Sequence, residues 1–215
     1  MKSCLICLIG IDGSGKTTHA RFLLEYLENQ GYSCDYIRGA YRPFFSYFFF
    51  LITKFLGYWK YTKKDAYTDP LEFAPKPLRK KLASIYRFFI FLDYQLIVSL
   101  KIRLPMIMGK VIISDRYIYD ILMELQLSNT LSNRFFYLLI GSMPQPDITF
   151  LMNVKEDIAI CRRGFTHDFF SRRKKFLIKL SKIFEFIIID SSTDLSKNQD
   201  FIREKTMSII NECVA

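Results

Sequence analysis

No apolar run in this sequence is long enough to cross a bilayer. The longest uncharged one, residues 43–53, has about eleven members, and a spanning helix needs about twenty. Residues 85–108 form a longer apolar window, but Arg87, Asp93, Lys101 and Arg103 interrupt it, as charges do on an amphipathic helix with one wet face. A secretory leader is not expected either, since Met1-Lys2-Ser3 runs straight into a short apolar stretch. The expectation is a cytoplasmic protein with no transmembrane segment.

Metal and redox chemistry also lack their residues. The five cysteines, Cys4, Cys7, Cys34, Cys161 and Cys213, are scattered, and no second Cys or His pair completes a zinc site with Cys4 and Cys7. A reduced compartment fits this usage. Cys4 and Cys7 read as small buried strand residues rather than a redox pair, which would open a helix. His19 and His167 are the only histidines, and no Ser-His-Asp or paired-carboxylate constellation is present. Internal repeats and low-complexity linkers are missing, so 215 residues, half of them hydrophobic, suit a single domain over 1–215.

Acidic side chains are in deficit, with 21 Asp+Glu against 31 Lys+Arg and a net charge of +10. Such an excess suits a polyanionic partner: nucleic acid, an anionic membrane or a phosphorylated small ligand. No nucleic-acid module signature accompanies it, so nucleic acid is not expected. The basic residues gather in 162–182 and in 54–81.

What is present is an alternation of short β-rich runs with helical patterns, the signature of βαβ units around a parallel sheet. Residues 3–9 (SCLICLI) are continuously apolar, as in a strand buried on both faces. Residues 32–37, 110–114, 147–154 and 184–190 supply four more strands. A helix is expected over 16–30, with Ala20, Leu23, Leu24 and Leu27 on one face and Gly31 as its stop. The pattern over 78–108 predicts a long helix, bent or ended near Pro105. Further helices are expected over 44–56, 117–127, 130–140, 155–163, 169–182 and 197–213, with 57–77 as a mobile excursion.

Between the first strand and the first helix, Gly10-Ile11-Asp12-Gly13-Ser14-Gly15-Lys16-Thr17 fits the P-loop pattern G-x-x-x-x-G-K-[ST]. Small residues let the backbone wrap phosphates, so that its N–H groups and the helix start face the negative charge. Lys16 would reach the β- and γ-phosphates of ATP, and Thr17 would hold Mg²⁺. Thr18 completes the ATP-binding set with Gly10, Asp12, Gly13, Ser14 and Gly15. Asp115, at the end of the third strand, is the candidate carboxylate for a magnesium-bound water. Arg116 beside it would contact the transferring or acceptor phosphate with its planar fork. Arg162, Arg163 and one of Arg172 or Arg173 form a candidate lid over about 162–172, whose guanidinium groups would neutralise charge in phosphoryl transfer. Lys174 and Lys175 read as a solvated helix face.

The stretches GIDGSGKTT, DRY after the third strand, PQPDITFLMNV and the Arg-rich lid before IIIDSS occur in the order and spacing of thymidylate kinases, which the chain resembles over nearly its whole length. The resemblance implies a three-layer P-loop NTPase fold of class α/β: a five-stranded parallel sheet flanked by helices, with a short lid. It also implies a homodimer and the reaction ATP plus dTMP giving ADP plus dTDP. By the same resemblance, Asp12 approaches the 3′-hydroxyl of the acceptor sugar and Arg42 grips the acceptor phosphate. Phe91 stacks on the base, a contact of roughly 1–3 kcal/mol.

The departures from the family gather on the acceptor side. Gly39-Ala40 replaces Phe-Pro before the acceptor arginine, Gln95 replaces an arginine that meets base and phosphate, and Asp120 replaces a serine. Ile9 stands for a glutamate of the first strand, and the lid is brief. Phosphoryl donation is therefore better supported than thymidylate as acceptor. A deoxynucleoside kinase using Asp120 or Asp12 as base stays open, as does an ATP-binding regulator that docks through residues 44–64.

Overall fold

The structure, a computed structural model, describes residues 3–39, 44–58, 71, 73–128, 130–163 and 167–214; the side chains of residues 162, 163, 169, 213 and 214 lie outside that description. In chain order the elements are β1 (Cys4–Gly10), α1 (Lys16–Asn29), β2 (Cys34–Arg38), α2 (Phe45–Phe55), α3 (Lys76–Val98), a π-helical turn (Ser99–Arg103), α4 (Leu104–Ile107), β3 (Val111–Asp115), α5 (Ile118–Leu127) and α6 (Asn133–Ser142). They continue with β4 (Ile148–Asn153), α7 (Glu156–Arg163), α8 (His167–Ile183), β5 (Ile187–Asp190) and α9 (Leu195–Val214).

The five strands form one sheet in the order β2-β3-β1-β4-β5, with every pairing parallel. All seven residues of β1 are buried, which is what a central strand covered on both faces requires. Its side chains alternate: Leu5, Cys7 and Ile9 enter the core under α3, α5, α6 and α8, while Cys4, Ile6 and Leu8 enter the core under α1 and α9. Cys4 and Cys7 therefore point to opposite faces and cannot form a pair. Burial pushes the Cys7 thiol well above its ordinary pKa, with Asp120 adding to the shift.

Because the sheet is parallel, the strands deliver their carboxyl ends to one edge, and the order reverses at β1. The register aligns Leu8 of β1 and Arg38 of β2 with Asp115 of β3, and Gly10 with Met152 of β4. This edge holds the site.

α2 lies across α3 on a small core of Phe49, Leu71, Ala74 and Ala83. The helix expected to bend or end near Pro105 does end there: it runs from Lys76 through a π-helical turn at Ser99–Arg103 and stops at Ile107, two residues past the proline. Proline lacks an N–H and its ring crowds the preceding turn, which the widened turn ahead of it accommodates. By length and mean hydropathy, 1.3 over its most apolar window, Lys76–Ile107 is sufficient for a bilayer span. Its Ile90, Tyr94, Val98 and Ile102 nevertheless pack into the sheet core, and Asp93 beside them is fully buried and hydrogen-bonded. Residues 59–70 and 72 of the expected excursion lie outside the described residues.

Candidate functional site

The loop between β1 and α1 bends where glycine permits it. Gly10 has a φ of 146°, and a Cβ there would lie 2.6 Å from the Met152 carbonyl oxygen. No larger residue fits this close approach to β4. The turn directs the loop backbone and the start of α1, which has no side-chain cap, toward one cavity of about 260 Å³. Asp12, Gly13, Gly15, Lys16, Thr17, Thr18, Arg38 and Arg116 line it. An uncapped helix start with free N–H groups is an anion site.

Lys16 is buried, with Nζ donating to the Ile11 carbonyl at 2.8 Å and standing 3.9 Å from Asp12 Oδ1. Burial pulls its pKa down to about 8, with the Asp120 carboxylate opposing and Arg116 reinforcing that shift.

Asp115 is almost fully buried at the end of β3. Its Oδ2 accepts from Thr17 Oγ1 at 2.6 Å and from the Tyr36 hydroxyl at 2.9 Å. Its Oδ1 is buried without a hydrogen-bond partner among the described residues. A carboxylate oxygen left unpaired in the interior is costly, and one beside a hydroxyl fits a hard divalent cation. Among the described residues no group of three or more His, Cys, Asp or Glu forms a metal cage, at this site or at another. The pair Thr17 and Asp115 thus matches Mg²⁺, which takes one or two protein oxygens and completes its shell with water and phosphate.

Arg116 is held by its backbone as well as its side chain. Its φ of 81° is left-handed, which a non-glycine residue adopts only when its surroundings fix it. The N–H donates to the Leu8 carbonyl at 2.9 Å, and the carbonyl accepts from Ser114 Oγ at 2.6 Å. The guanidinium pairs with Asp12 and stands 3.6 Å from Asp120 Oδ1. Burial works against its charge, but Asp120, Asp12 and Asp115 outweigh that and hold its pKa above the ordinary value. Asp120 also accepts from the Tyr117 N–H at 3.3 Å. Burial raises the Asp120 pKa, with Arg116 and Lys16 opposing.

Gly39 explains one of the sequence departures. Its N–H donates to the Asp115 carbonyl at 2.9 Å, and a Cβ at this position would collide with the Arg116 carbonyl. The close passage of β2's end over Arg116 demands glycine. Arg38, next to it, lines the P-loop cavity. Sequence reasoning missed that role, although a strand-ending arginine aligned with Asp115 was a usable signal.

Of the acceptor-side candidates, Arg42 lies outside the described residues. Phe91 is half-buried and packs against the sheet core. Gln95 accepts from Arg103 Nη1 at 3.2 Å across the π-helical turn. The start of α2, just beyond Arg42, is pinned by a residue the sequence did not single out. Fully buried Asp93 accepts from the N–H groups of Phe44, Phe45 and Ser46 at 3.2, 2.6 and 3.1 Å and from Ser46 Oγ at 2.6 Å.

On the lid side, Arg162 and Arg163 end α7, with their side chains outside the description. Arg172 is exposed and pairs with Asp168 at 2.9 Å. Arg173 does not join this exposed group, because it is buried and paired with Glu124 of α5. Burial pushes the Glu124 pKa up to about 7, opposed by Arg173 and assisted by Asp120 and Asp12.

No protein-family model matches the chain. A probable thymidylate kinase of Sulfurisphaera tokodaii is 27% identical to it over 210 residues, covering 94% of this chain and 92% of that protein. The chain is thus similar to a nucleotide kinase along its length, with the five-stranded parallel α/β architecture of P-loop kinases.

Proposed function

We propose that this protein is an ATP-dependent nucleoside monophosphate kinase of thymidylate type, transferring the γ-phosphoryl group of ATP to the phosphate of an acceptor such as dTMP. The observation that carries this reading is one cavity in which the P-loop, Lys16 and Thr17 face Arg38 and Arg116 from the neighbouring strand ends. Two sets of phosphate-binding groups meet there across a single gap.

The donor's phosphates would lie on the loop's N–H groups, with Lys16 released from the Ile11 carbonyl to reach them. Thr17 and Asp115 would hold Mg²⁺, which supplies neutralisation of the β- and γ-oxygens. Arg116 would turn from Asp12 toward the phosphate between donor and acceptor. An acceptor phosphate is already anionic at neutral pH, so no strong base is required, and catalysis rests on in-line positioning and charge neutralisation. Arg162 and Arg163 would close over the gap and exclude water, and arginines of this kind contribute roughly 10³–10⁵ in rate.

A coupled assay with purified protein, ATP, Mg²⁺ and a panel of monophosphates tests the reading. Turnover of a monophosphate is expected, and ATP binding without turnover of any would sink it.

A second reading has its own support. Asp120 stands beside Arg116 with its pKa raised by burial, which suits a base for a neutral hydroxyl acceptor. Phosphorylation of thymidine in preference to dTMP would select this deoxynucleoside kinase.

The exposed apolar stripe of α2 supports a homodimer. Phe44, Phe48, Ile52 and Phe55 are 59, 59, 58 and 91% exposed, and a patch of this kind marks an association surface.

A further inference from the structure

We propose that Tyr36 is a positioning residue for the divalent-ion site, holding the Asp115 carboxylate so that one of its oxygens is kept for the ion; the inference rests on the reading above, in which Thr17 and Asp115 hold Mg²⁺. The Tyr36 hydroxyl donates to Asp115 Oδ2 at 2.9 Å, and Thr17 Oγ1 donates to the same oxygen at 2.6 Å. Asp115 Oδ1 is buried without a hydrogen-bond partner among the described residues. Both donors thus gather on one oxygen and leave the other for a cation or its water.

The strands place the phenol where it can do this. Tyr36 of β2 aligns with Ile113 of β3, two residues before Asp115. Residues two apart on a strand share a face, so the hydroxyl has to reach about 7 Å along the strand direction to meet the carboxylate. The ring spans that distance while packing against the core under α1 and α9. Thr17 is the second residue of α1. The two hydroxyls therefore come to Asp115 from different elements.

A carboxylate needs such a hold. The terminal torsion of an aspartate is broad and nearly twofold, so its own rotamer does not decide which oxygen faces the loop. One donor at Oδ2 leaves the group free to swivel, whereas two donors from separate elements fix its plane. The Thr17 proton, directed to Oδ2, also leaves that hydroxyl's lone pairs for the ion. The fold itself makes no demand for the phenolic oxygen: β2 pairs with β3 through its backbone, and a phenylalanine would cover the same apolar surface. Losing a partner that orients a metal ligand typically costs about 10- to 100-fold in metal affinity.

Tyr36→Phe removes the hydroxyl and keeps the ring. Tyr32→Phe serves as the comparison, because Tyr32 packs against the same core. The readout is ADP affinity by calorimetry, over a series of Mg²⁺ concentrations and again in excess chelator. In Tyr36→Phe we expect the Mg²⁺ concentration that gives half of the tightening to rise about tenfold or more, with ADP affinity in chelator unchanged. Tyr32→Phe should match the wild type in both.

An unchanged Mg²⁺ dependence in Tyr36→Phe overturns the inference. So does a loss of ADP affinity that is equal with and without Mg²⁺, which marks a structural role alone, and so does an equal shift in Tyr32→Phe. Wild-type protein whose ADP affinity ignores Mg²⁺ removes the Thr17 and Asp115 ion site and this inference together. Protein that binds Mg²⁺ and ADP yet phosphorylates no monophosphate sinks only the phosphotransfer reading, because no acceptor enters the measurement.

Discussion

At the residue scale the site is governed by a few side chains whose surroundings oppose their charge. Lys16 is the clearest case, with a pKa pulled down to about 8 by burial. Above that pH the free protein holds it neutral, so ADP affinity, measured by calorimetry, is expected to fall as pH rises through about 8, and Lys16→Met should abolish the dependence. Glu124 has the opposite sign. Its folded pKa of about 7 lies above the ordinary 4.5, so its contribution to stability is complete below pH 4.5 and lost as pH rises through 7. Thermal melts from pH 5 to 8 should show a shallower loss in Glu124→Gln than in the wild type. Gly39→Ala places a methyl group against the Arg116 carbonyl; such overpacking costs about 1–3 kcal/mol, and turnover should fall with it because Arg116 is displaced.

The P-loop, Asp115 and Arg116 were legible from the sequence because their spacing is local and fixed by strand ends. Gly39 and Glu124 were not. Their roles depend on approaches between segments far apart in the chain, which no local pattern encodes.

At the element scale, most strands and helices follow from their periodicity. Pro105 signalled a bend or an end, and the helix widens into a π-helical turn ahead of it and stops at Ile107. One exception has a physical cause. Asp93 sits in an otherwise apolar window, where the sequence suggested a wet face. It is instead fully buried because the first N–H groups around α2 converge on it. Asp93→Ala removes the cap from α2, a loss of about 0.5–2 kcal/mol for an ordinary N-cap. A lower melting temperature and a higher KM for the acceptor, with KM for ATP little changed, are expected because α2 begins two residues after Arg42's neighbour Pro43.

At the scale of the whole molecule, the parallel order β2-β3-β1-β4-β5 follows from alternating elements and a switch point at the P-loop strand. The sequence carried that architecture because its central strands are uniformly apolar. It did not carry the outer face of α2, where Phe48 and Phe55 are exposed while Ser46 and Thr53 are buried. Pattern reading assigns apolar residues inward, and this helix turns Phe49 inward but leaves most of its other apolar side chains outside. On the proposed homodimer, wild-type protein should sediment as a dimer in analytical ultracentrifugation and Phe48→Glu with Phe55→Glu as a monomer, with ADP binding intact.

The phenol of Tyr36, hydrogen-bonded to Asp115, would make the proposed divalent-ion position self-reporting. An ion arriving at that carboxylate draws electron density away from the phenolic proton's acceptor and perturbs the ring's ultraviolet absorption. Titrating magnesium should therefore yield a difference spectrum that Tyr36→Phe erases, giving an optical signal for loading that requires no label and no turnover.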